Sequence, residues 1–188
     1  MSFLEVDNKS DGENNLMYVK HDNRAGKGFF NGETDVSDVN FVADFENCKI
    51  GWGKYENGTY FKEWQDNIAT KRPDQDQLIA NGYKRAFSLY LFSNDVGLKL
   101  WERDSAMEWN GFLDVAKAYE REKDNRQGKL PVIAYESAEK ITTKNGAFYK
   151  PVFKIKGWVD KPKELNATDL TATENEESVG LTEDDIPF

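Results

Sequence analysis

The sequence has little of the chemistry on which most enzymes and secreted proteins depend. Its 188 residues include one cysteine, Cys48, and one histidine, His21. A single cysteine excludes an internal disulfide, and one Cys with one His falls short of the clusters that bind zinc. The sequence also lacks a phosphate-binding loop of the G-x-x-x-x-G-K type and a nucleophile elbow. We therefore expect no catalytic residue, no metal and no cofactor.

Targeting and membrane segments are also missing from the sequence. Residues 1–15 are polar and lack the basic and apolar regions of a signal peptide. No run approaches the roughly 20 apolar residues that cross a bilayer. Together with the single cysteine, this predicts a cytoplasmic protein without a membrane partner. We expect residues 1–15 to be flexible.

The net charge of −9 is distributed unevenly along the chain. Residues 164–188 hold eight of the 34 acidic side chains and no lysine or arginine, which leaves residues 1–163 with 25 basic and 26 acidic side chains and a net charge of −1. Aromatic residues, 13% of the chain, are absent from residues 161–187. This contrast predicts a core-forming body at 16–160 and a disordered acidic tail at 161–188.

Alternation of apolar and polar residues predicts that the body is mainly β. In the clearest run Phe87, Leu89 and Leu91 face one way, whereas Lys84, Tyr90 and Phe92 face the other. The sequences Asn57-Gly58 and Lys144-Asn145-Gly146 predict hairpin turns. The predicted strands are Leu16–Lys20, Lys27–Asn31, Asn40–Trp52, Thr59–Trp64, Tyr83–Phe92, Leu98–Arg103, Val132–Tyr135, Lys140–Thr143 and Ala147–Val159.

One helix is predicted, at about residues 105–126. Ser105 and Glu108 have the spacing of a capping box, and apolar residues then recur at helical spacing from Trp109 to Tyr119. Gly128 and Pro131 are typical of a helix end. Several strands, one helix and a last hairpin are the order of an OB-fold-like antiparallel Greek-key barrel. A β-sandwich is the alternative.

Three predicted strands carry basic and aromatic residues on one face. At i, i+2, i+4 spacing these are Tyr60, Lys62 and Trp64, then Lys99, Trp101 and Arg103, and finally Lys150, Lys154, Lys156 and Trp158 around Val152. Basic side chains meet phosphates, and rings stack on unpaired bases for about 1–3 kcal/mol each. Each set is also compatible with ordinary sheet packing, as Trp109 is with helix packing and Trp158 with a place in the core.

The segment Lys49–Tyr55 adds a tryptophan between two glycines. Because Gly51 and Gly53 bend a strand or let a backbone approach, we expect Trp52 to project as a base-stacking residue. The predicted nucleic-acid-binding residues are Lys49, Trp52, Lys54, Tyr55, Tyr60, Lys62, Trp64, Lys84, Tyr90, Phe92, Lys99, Trp101, Lys154 and Lys156.

The last residues are apolar, unlike most acidic tails. Phe188 can enter an apolar pocket while its carboxylate meets a basic side chain, Pro187 restricts the backbone, and Ile186 adds apolar contact. Asp184 and Asp185 speed encounter with a basic surface. The five residues Asp184, Asp185, Ile186, Pro187 and Phe188 are therefore predicted to bind a partner protein.

The hexapeptide Glu183–Phe188 resembles the C-terminal tip of bacterial single-stranded DNA-binding proteins. The body, with one late helix and the ending Gly146–Val159, resembles bacteriophage-encoded members more diffusely. The short acidic linker and the nearly neutral body depart from the usual pattern. The resemblance implies an OB-fold that coats single-stranded DNA without reading sequence during phage replication, recombination or repair. It also implies that the tip recruits the enzymes of those processes, in the host cytoplasm.

Other classes stay open on the sequence alone. A protein-interaction module with a docking tail and no nucleic-acid binding is the main alternative. A nuclease would need metal ligands, and Asp74-Gln75-Asp76 is the only candidate, although a solvated turn explains it as well. A homo-oligomer is compatible with the sequence.

Overall fold

The computed structural model of the chain describes residues 17–65 and 72–166. In these two ranges the strands are β1 Val19–His21, β2 Phe29–Asn31, β3 Thr34–Asp35, β4 Asn40–Ala43, β5 Lys49–Glu56, β6 Thr59–Gln65, β7 Lys84–Ser93, β8 Gly97–Arg103, β9 Leu130–Thr143 and β10 Gly146–Val159. The helices are α1 Gln75–Ala80 and α2 Ala106–Glu122, with 3-10 turns at Phe45–Asn47, Lys123–Arg126 and Lys163–Leu165. The fold is mainly β, and all of its strand pairs are antiparallel.

Strand β7 is the centre of the main sheet, whose order is β10-β9-β4-β7-β5-β6 with β8 on the other edge of β7. One edge of β7 pairs with β5 in its first half and with β4 near its end. The sequence predicted one strand over Asn40–Trp52, but the structure divides it. The Asp44 carboxylate accepts a hydrogen bond from the Asn47 N–H at 3.4 Å and caps a turn between β4 and β5.

Both predicted hairpin turns are confirmed. Asn57 and Gly58 have φ values of 52° and 78°, the positive pair that a two-residue type I′ turn requires. The second turn joins β9 to β10, each 14 residues long. The two weak strands predicted at 132–135 and 140–143 are parts of the single strand β9.

Helix α2 confirms the predicted helix and its cap. The Ser105 hydroxyl accepts a hydrogen bond from the Glu108 N–H at 3.2 Å, and the 3-10 turn continues the coil to Arg126. The helix lies close to β10, because a Cβ on Gly111 would be 2.6 Å from the Pro151 carbonyl oxygen. Helix α1 was not predicted, since its polar sequence resembles a loop and only Leu78 is buried.

Aromatic rings from strands and helix fill the main core. Trp101 of β8 is fully buried, with its ring centroid 4.8 Å from Phe87 and 4.9 Å from Phe153 of β10. Phe87 stacks on Phe112 of α2 at 4.2 Å. Side chains from β7, β8, β10 and α2 therefore meet in one core cluster.

The edges of β8 and β10 are bridged by the first described segment. The Leu100 N–H donates to the Met17 carbonyl at 2.9 Å, and the Tyr149 N–H donates to the Asn23 carbonyl at 2.8 Å. The pairings within the described ranges include none between β8 and β10 themselves. The predicted mainly β class with one long helix is confirmed, whereas closure of the sheet into a barrel is not found.

A second apolar cluster covers the opposite face of β7 and β8. It contains Tyr90, Leu100, Leu130 and Leu165, and Leu165 is fully buried. The Lys161 ammonium also lies 3.4 Å from the Asp44 carboxylate. The packed body therefore extends to Leu165, beyond the predicted boundary at 160. The rest of the predicted tail, residues 167–188, lies outside the described residues, as do residues 1–16.

A buried carboxylate, that of Glu108, ties α2 to the strands around it. It accepts hydrogen bonds from Arg103 Nε at 2.8 Å, Trp101 Nε1 at 3.1 Å and the His21 backbone N–H at 2.7 Å. Asn23 Nδ2 also donates to it, at 3.3 Å. These donors saturate a charge that would otherwise be costly to bury.

We expect Leu165→Ala to lower the free energy of unfolding by about 2–5 kcal/mol, the usual cost of a cavity at a buried leucine. Urea denaturation of the full chain measures it. Val159→Ala is the matched control, because Val159 is 36% exposed, and its effect should stay below about 1 kcal/mol. Equal effects of the two variants would contradict the anchoring of residues 161–165.

The stability of the protein should fall as the pH drops below about 6.5. Burial lowers the pKa of His21, the only histidine, although its hydrogen bond to Asn23 and the charges of Glu108 and Asp22 oppose that effect. Below its ordinary pKa the unfolded chain therefore binds a proton that the folded state resists, which favours unfolding.

Urea unfolding at pH 7.5 and 5.5 measures this dependence. In His21→Gln the difference between the two pH values should shrink, whatever the stability of the variant at pH 7.5. An undiminished difference would assign the pH dependence to carboxylates instead.

Candidate nucleic-acid interface

The exposure predicted for the Lys99, Trp101 and Arg103 face of β8 is wrong, although Leu98 and Leu100 on its other face are core residues as expected. Trp101 is fully buried and Lys99 is only 8% exposed, whereas both were expected to project outward. Their side lies against the main core, since Trp101 pairs in register with the core residue Leu89. The opposite side, with Leu98 and Leu100, is covered by the second cluster. Both faces of β8 are therefore occupied, and alternation alone does not reveal which of them is apolar.

Tyr90 and Phe92 are also unsuited to stacking on bases. Their predicted direction, opposite to Phe87 and Leu89, is confirmed by the division into two clusters. The expected exposure is wrong, because Tyr90 is 4% exposed and Phe92 packs against the second cluster. The segment that ends at Leu165 covers this face.

Trp52 does not project, contrary to the prediction. It is 3% exposed, and its indole N–H donates to Gln65 Oε1 at 3.2 Å. The flanking glycines lie on the opposite face of β5 from Trp52. A Cβ on Gly51 would lie 2.1 Å from the Glu63 carbonyl oxygen, and one on Gly53 would lie 2.0 Å from the Tyr60 hydroxyl. The absence of side chains at the two glycines lets β6 and the Tyr60 ring approach β5 closely, and it does not expose Trp52.

Tyr60, Lys62 and Trp64 share one face of β6 as predicted, but that face is held against the body. The Tyr60 ring covers Gly53, and the Lys62 ammonium pairs with the buried carboxylate of Glu102. Trp64 is half-buried. On the same side of the sheet, Lys49 and Tyr55 of β5 are half-buried and Lys84 of β7 is exposed.

The basic residues of β10 divide into two kinds. Lys154 and Lys156 are exposed, as predicted. Lys150 instead pairs with Asp114 of α2 at 2.8 Å and with Glu139 of β9 at 2.9 Å. Trp158 stacks on Tyr119 at 6.0 Å, so it belongs to the packing between β10 and α2.

A different surface brings cations and rings together on β5, β6 and β7. Register pairs Trp52 with Arg85, Lys54 with Phe61 and Ile50 with Gln65, so these side chains lie on one side of the sheet. We call this side the Arg85 face. It consists of Ile50, Trp52, Lys54, Phe61, Glu63, Gln65, Tyr83 and Arg85, in which Glu63 is the register partner of Trp52, and Trp109 of α2 adjoins it.

Arg85 is held between two tryptophans. Its guanidinium lies 4.7 Å from the ring centroid of Trp52 and 4.8 Å from that of Trp109. Burial lowers the pKa of Arg85. Within residues 17–65 and 72–166 no acidic side chain pairs with it. Arg85 is therefore a partly desolvated cation, and no acidic residue in these two ranges neutralises its charge.

Farther along β5, the Arg85 face becomes more open. The Lys54 ammonium lies 5.8 Å from the ring centroid of Tyr83 and 3.0 Å from the Glu56 carboxylate. Phe61, its register partner, is 44% exposed. Arg72 borders this face through Glu63, at 3.6 Å, and forms two hydrogen bonds to Asp74. The carboxylate of Asp74, the candidate metal ligand, is thus hydrogen-bonded to Arg72, which lowers the pKa of Asp74.

Sequence reasoning missed Phe61, Tyr83, Arg85 and Trp109 as members of one surface. The sequence of β6 has aromatic residues on both of its faces, so alternation cannot select one. Trp109 is separated from Arg85 by 24 positions, and only the crossing of α2 brings the two together. The pairing of Trp52 with Arg85 depends on the register between β5 and β7.

Comparisons with protein-family models, curated proteins and solved structures found no match to this chain. The part of the chain that the structure describes contains no helix of the length and hydropathy needed to cross a membrane. The predicted tip, Asp184–Phe188, lies outside the described residues.

We expect Gly53→Ala to destabilise the protein by about 1–3 kcal/mol, because the added methyl group displaces the Tyr60 ring. Gly157→Ala is the matched control in another strand, since a Cβ there would meet no atom within 4 Å. Thermal denaturation of both variants measures the difference. A Gly53→Ala variant as stable as Gly157→Ala would show that Tyr60 is not fixed over Gly53.

Proposed function

We propose that this chain is a sequence-independent single-stranded DNA-binding protein. In this role it protects strands during phage DNA replication, recombination or repair and recruits partner enzymes through residues 184–188. The observation that carries the proposal is the Arg85 face, where Arg85 and Lys54 alternate with the rings of Trp52, Tyr83 and Phe61. Cations meet phosphates and rings meet unpaired bases, a combination suited to single strands of any sequence.

The strand order supports an OB-fold as part of this proposal. With β4 and β5 taken together as one bent first strand, and with β6 set aside as an added strand that pairs with β5, the order is β8-β7-β4/β5-β9-β10, and α2 lies between β8 and β9 in the chain. This is the order of a five-stranded Greek-key barrel whose closing edges are β8 and β10. Residues 17–23 hydrogen-bond to both of those edges. The OB-fold is often partly open, and it binds oligonucleotides beside the loop between its first two strands, where the Arg85 face lies.

The chemistry on the face suggests a division of tasks. Phe61 and Tyr83 are accessible enough to stack on bases, whereas the buried ring of Trp52 already stacks on Arg85. Lys54 and Arg85 meet phosphates, with Lys54 exchanging its contact to Glu56 for the strand. The role proposed for the tip rests on the sequence of its last residues.

A thymine oligonucleotide should quench the intrinsic tryptophan fluorescence of the protein, and a duplex of equal length should not. Phe61→Ala and Tyr83→Ala should each weaken the complex by about 1–3 kcal/mol, roughly five-fold to more than a hundred-fold in Kd. Higher salt should weaken it further, because bound phosphates release counterions. Val159→Ala is the control, an exposed apolar residue at the far end of β10.

The same titration separates this proposal from the alternative. No quenching and no retained oligonucleotide would leave a protein-interaction module as the better description of the body. Removal of residues 184–188 should leave the titration unchanged, because the tip serves proteins rather than DNA. A loss of affinity in that variant would contradict the division of tasks.

A further inference from the structure

One amide oxygen on the Arg85 face accepts two hydrogen bonds from donors that belong to different strands. Gln65 Oε1 lies 3.2 Å from Trp52 Nε1 and 3.3 Å from Arg85 Nη1. Indole and guanidinium groups can only donate, so the chemistry fixes the Gln65 oxygen, rather than its NH₂ group, at this point. Trp52 and Arg85 are register partners on neighbouring strands, which aims both donors at one place.

A neutral oxygen is a weak partner for this pair of donors. The guanidinium carbon lies 4.7 Å from the Trp52 ring centroid and 4.8 Å from that of Trp109, so rings rather than polar groups form much of its surroundings. Among the described residues it meets no carboxylate, and desolvation is the single cause of its lowered pKa. An anionic oxygen would make the neutral hydrogen bond from the Trp52 indole charge-assisted, which roughly doubles its strength, and would add an ion pair with Arg85.

The two donor residues lie within strands of the sheet, whereas the acceptor residue, Gln65, lies at the end of a strand. Gln65 is the last residue of β6, which pairs with β5 alone among the described strands. A rotation of its side chain would vacate the acceptor position without breaking a strand pair. Trp52 and Arg85 lie inside β5 and β7 and would stay in place.

We propose that a non-bridging phosphate oxygen of a bound single strand takes the position of Gln65 Oε1 and is held by the Trp52 indole N–H and the Arg85 guanidinium. Gln65 is then an internal placeholder that satisfies both donors until the strand arrives. This inference rests on the proposed function and gives it a phosphate-binding point. It also gives Trp52 a different task from base stacking, since its contribution is the indole N–H.

Three variants test the placeholder. Gln65→Glu keeps the shape but offers Arg85 an internal carboxylate, so the Kd for a thymine oligonucleotide at low salt should rise at least about tenfold. Its plot of log K against log salt should become shallower by about 0.7, the value for one phosphate contact on a single strand. Gln65→Ala removes the competitor, so it should bind as tightly as the wild type or more tightly. Arg85→Lys should bind more weakly, because lysine lacks the planar fork that stacks between two rings.

Gln127→Glu is the matched control for added charge. Gln127 is exposed and follows the C-terminal end of α2, whereas Trp109 lies in its first turn, so the helix separates the two by about 20 Å. The control should bind like the wild type. A loss equal to that of Gln65→Glu would mean that net charge alone weakens the complex, which would overturn the inference.

A direct readout is made on wild-type protein and needs a variant only to assign one resonance. The indole N–H resonance of Trp52, assigned by its absence in Trp52→Phe, should shift when the oligonucleotide is added to wild-type protein labelled with ¹⁵N. If wild-type protein binds the oligonucleotide but this resonance and the salt slope of Gln65→Glu stay unchanged, the inference fails and the proposed function stands. If wild-type protein does not bind at all, the proposed function itself fails.

Discussion

The buried carboxylate of Glu108 is the contact on which the arrangement of this fold depends. It receives hydrogen bonds from Arg103 and Trp101 of β8, from the His21 backbone in β1 and from Asn23 after β1. These groups belong to the start of α2, to the last part of β8 and to the segment that bridges β8 and β10. An unpaired carboxylate at this depth would be strongly unfavourable, so the three parts are fixed together.

The position of α2 that follows from this contact creates the candidate interface. Trp109 comes directly after Glu108, so the helix start that Glu108 fixes also sets Trp109 beside Arg85. The stack of Trp52, Arg85 and Trp109 then keeps a cation at the border of the aromatic core. The candidate interface is in this sense an extension of the core, because the same cation contacts aromatic rings and donates a hydrogen bond to the Gln65 side chain.

The two sides of the sheet pack in different apolar clusters. The side with Tyr90 and Leu100 is covered by Leu165, so the chain passes over it where the acidic segment 164–188 begins. The other side carries the core and, at its margin, the Arg85 face. The cations of this nearly neutral body differ, because Lys54, Arg72 and Lys62 form ion pairs while Arg85 pairs with no acidic side chain among the described residues.

The mainly β class, the hairpins at Asn57-Gly58 and Lys144–Gly146 and the capped helix after Ser105 could be predicted from the amino-acid sequence alone. Each depends on local backbone preference or on short periodicity, which a few neighbouring residues specify. Which faces are buried depends on the tertiary structure, because Trp101 fills the main core while Leu98 and Leu100 pack in the second cluster, so that both faces of β8 are covered. The tertiary structure also decided the partners of Trp52 and Arg85, since strand register and helix crossing are set by packing between residues far apart in the chain.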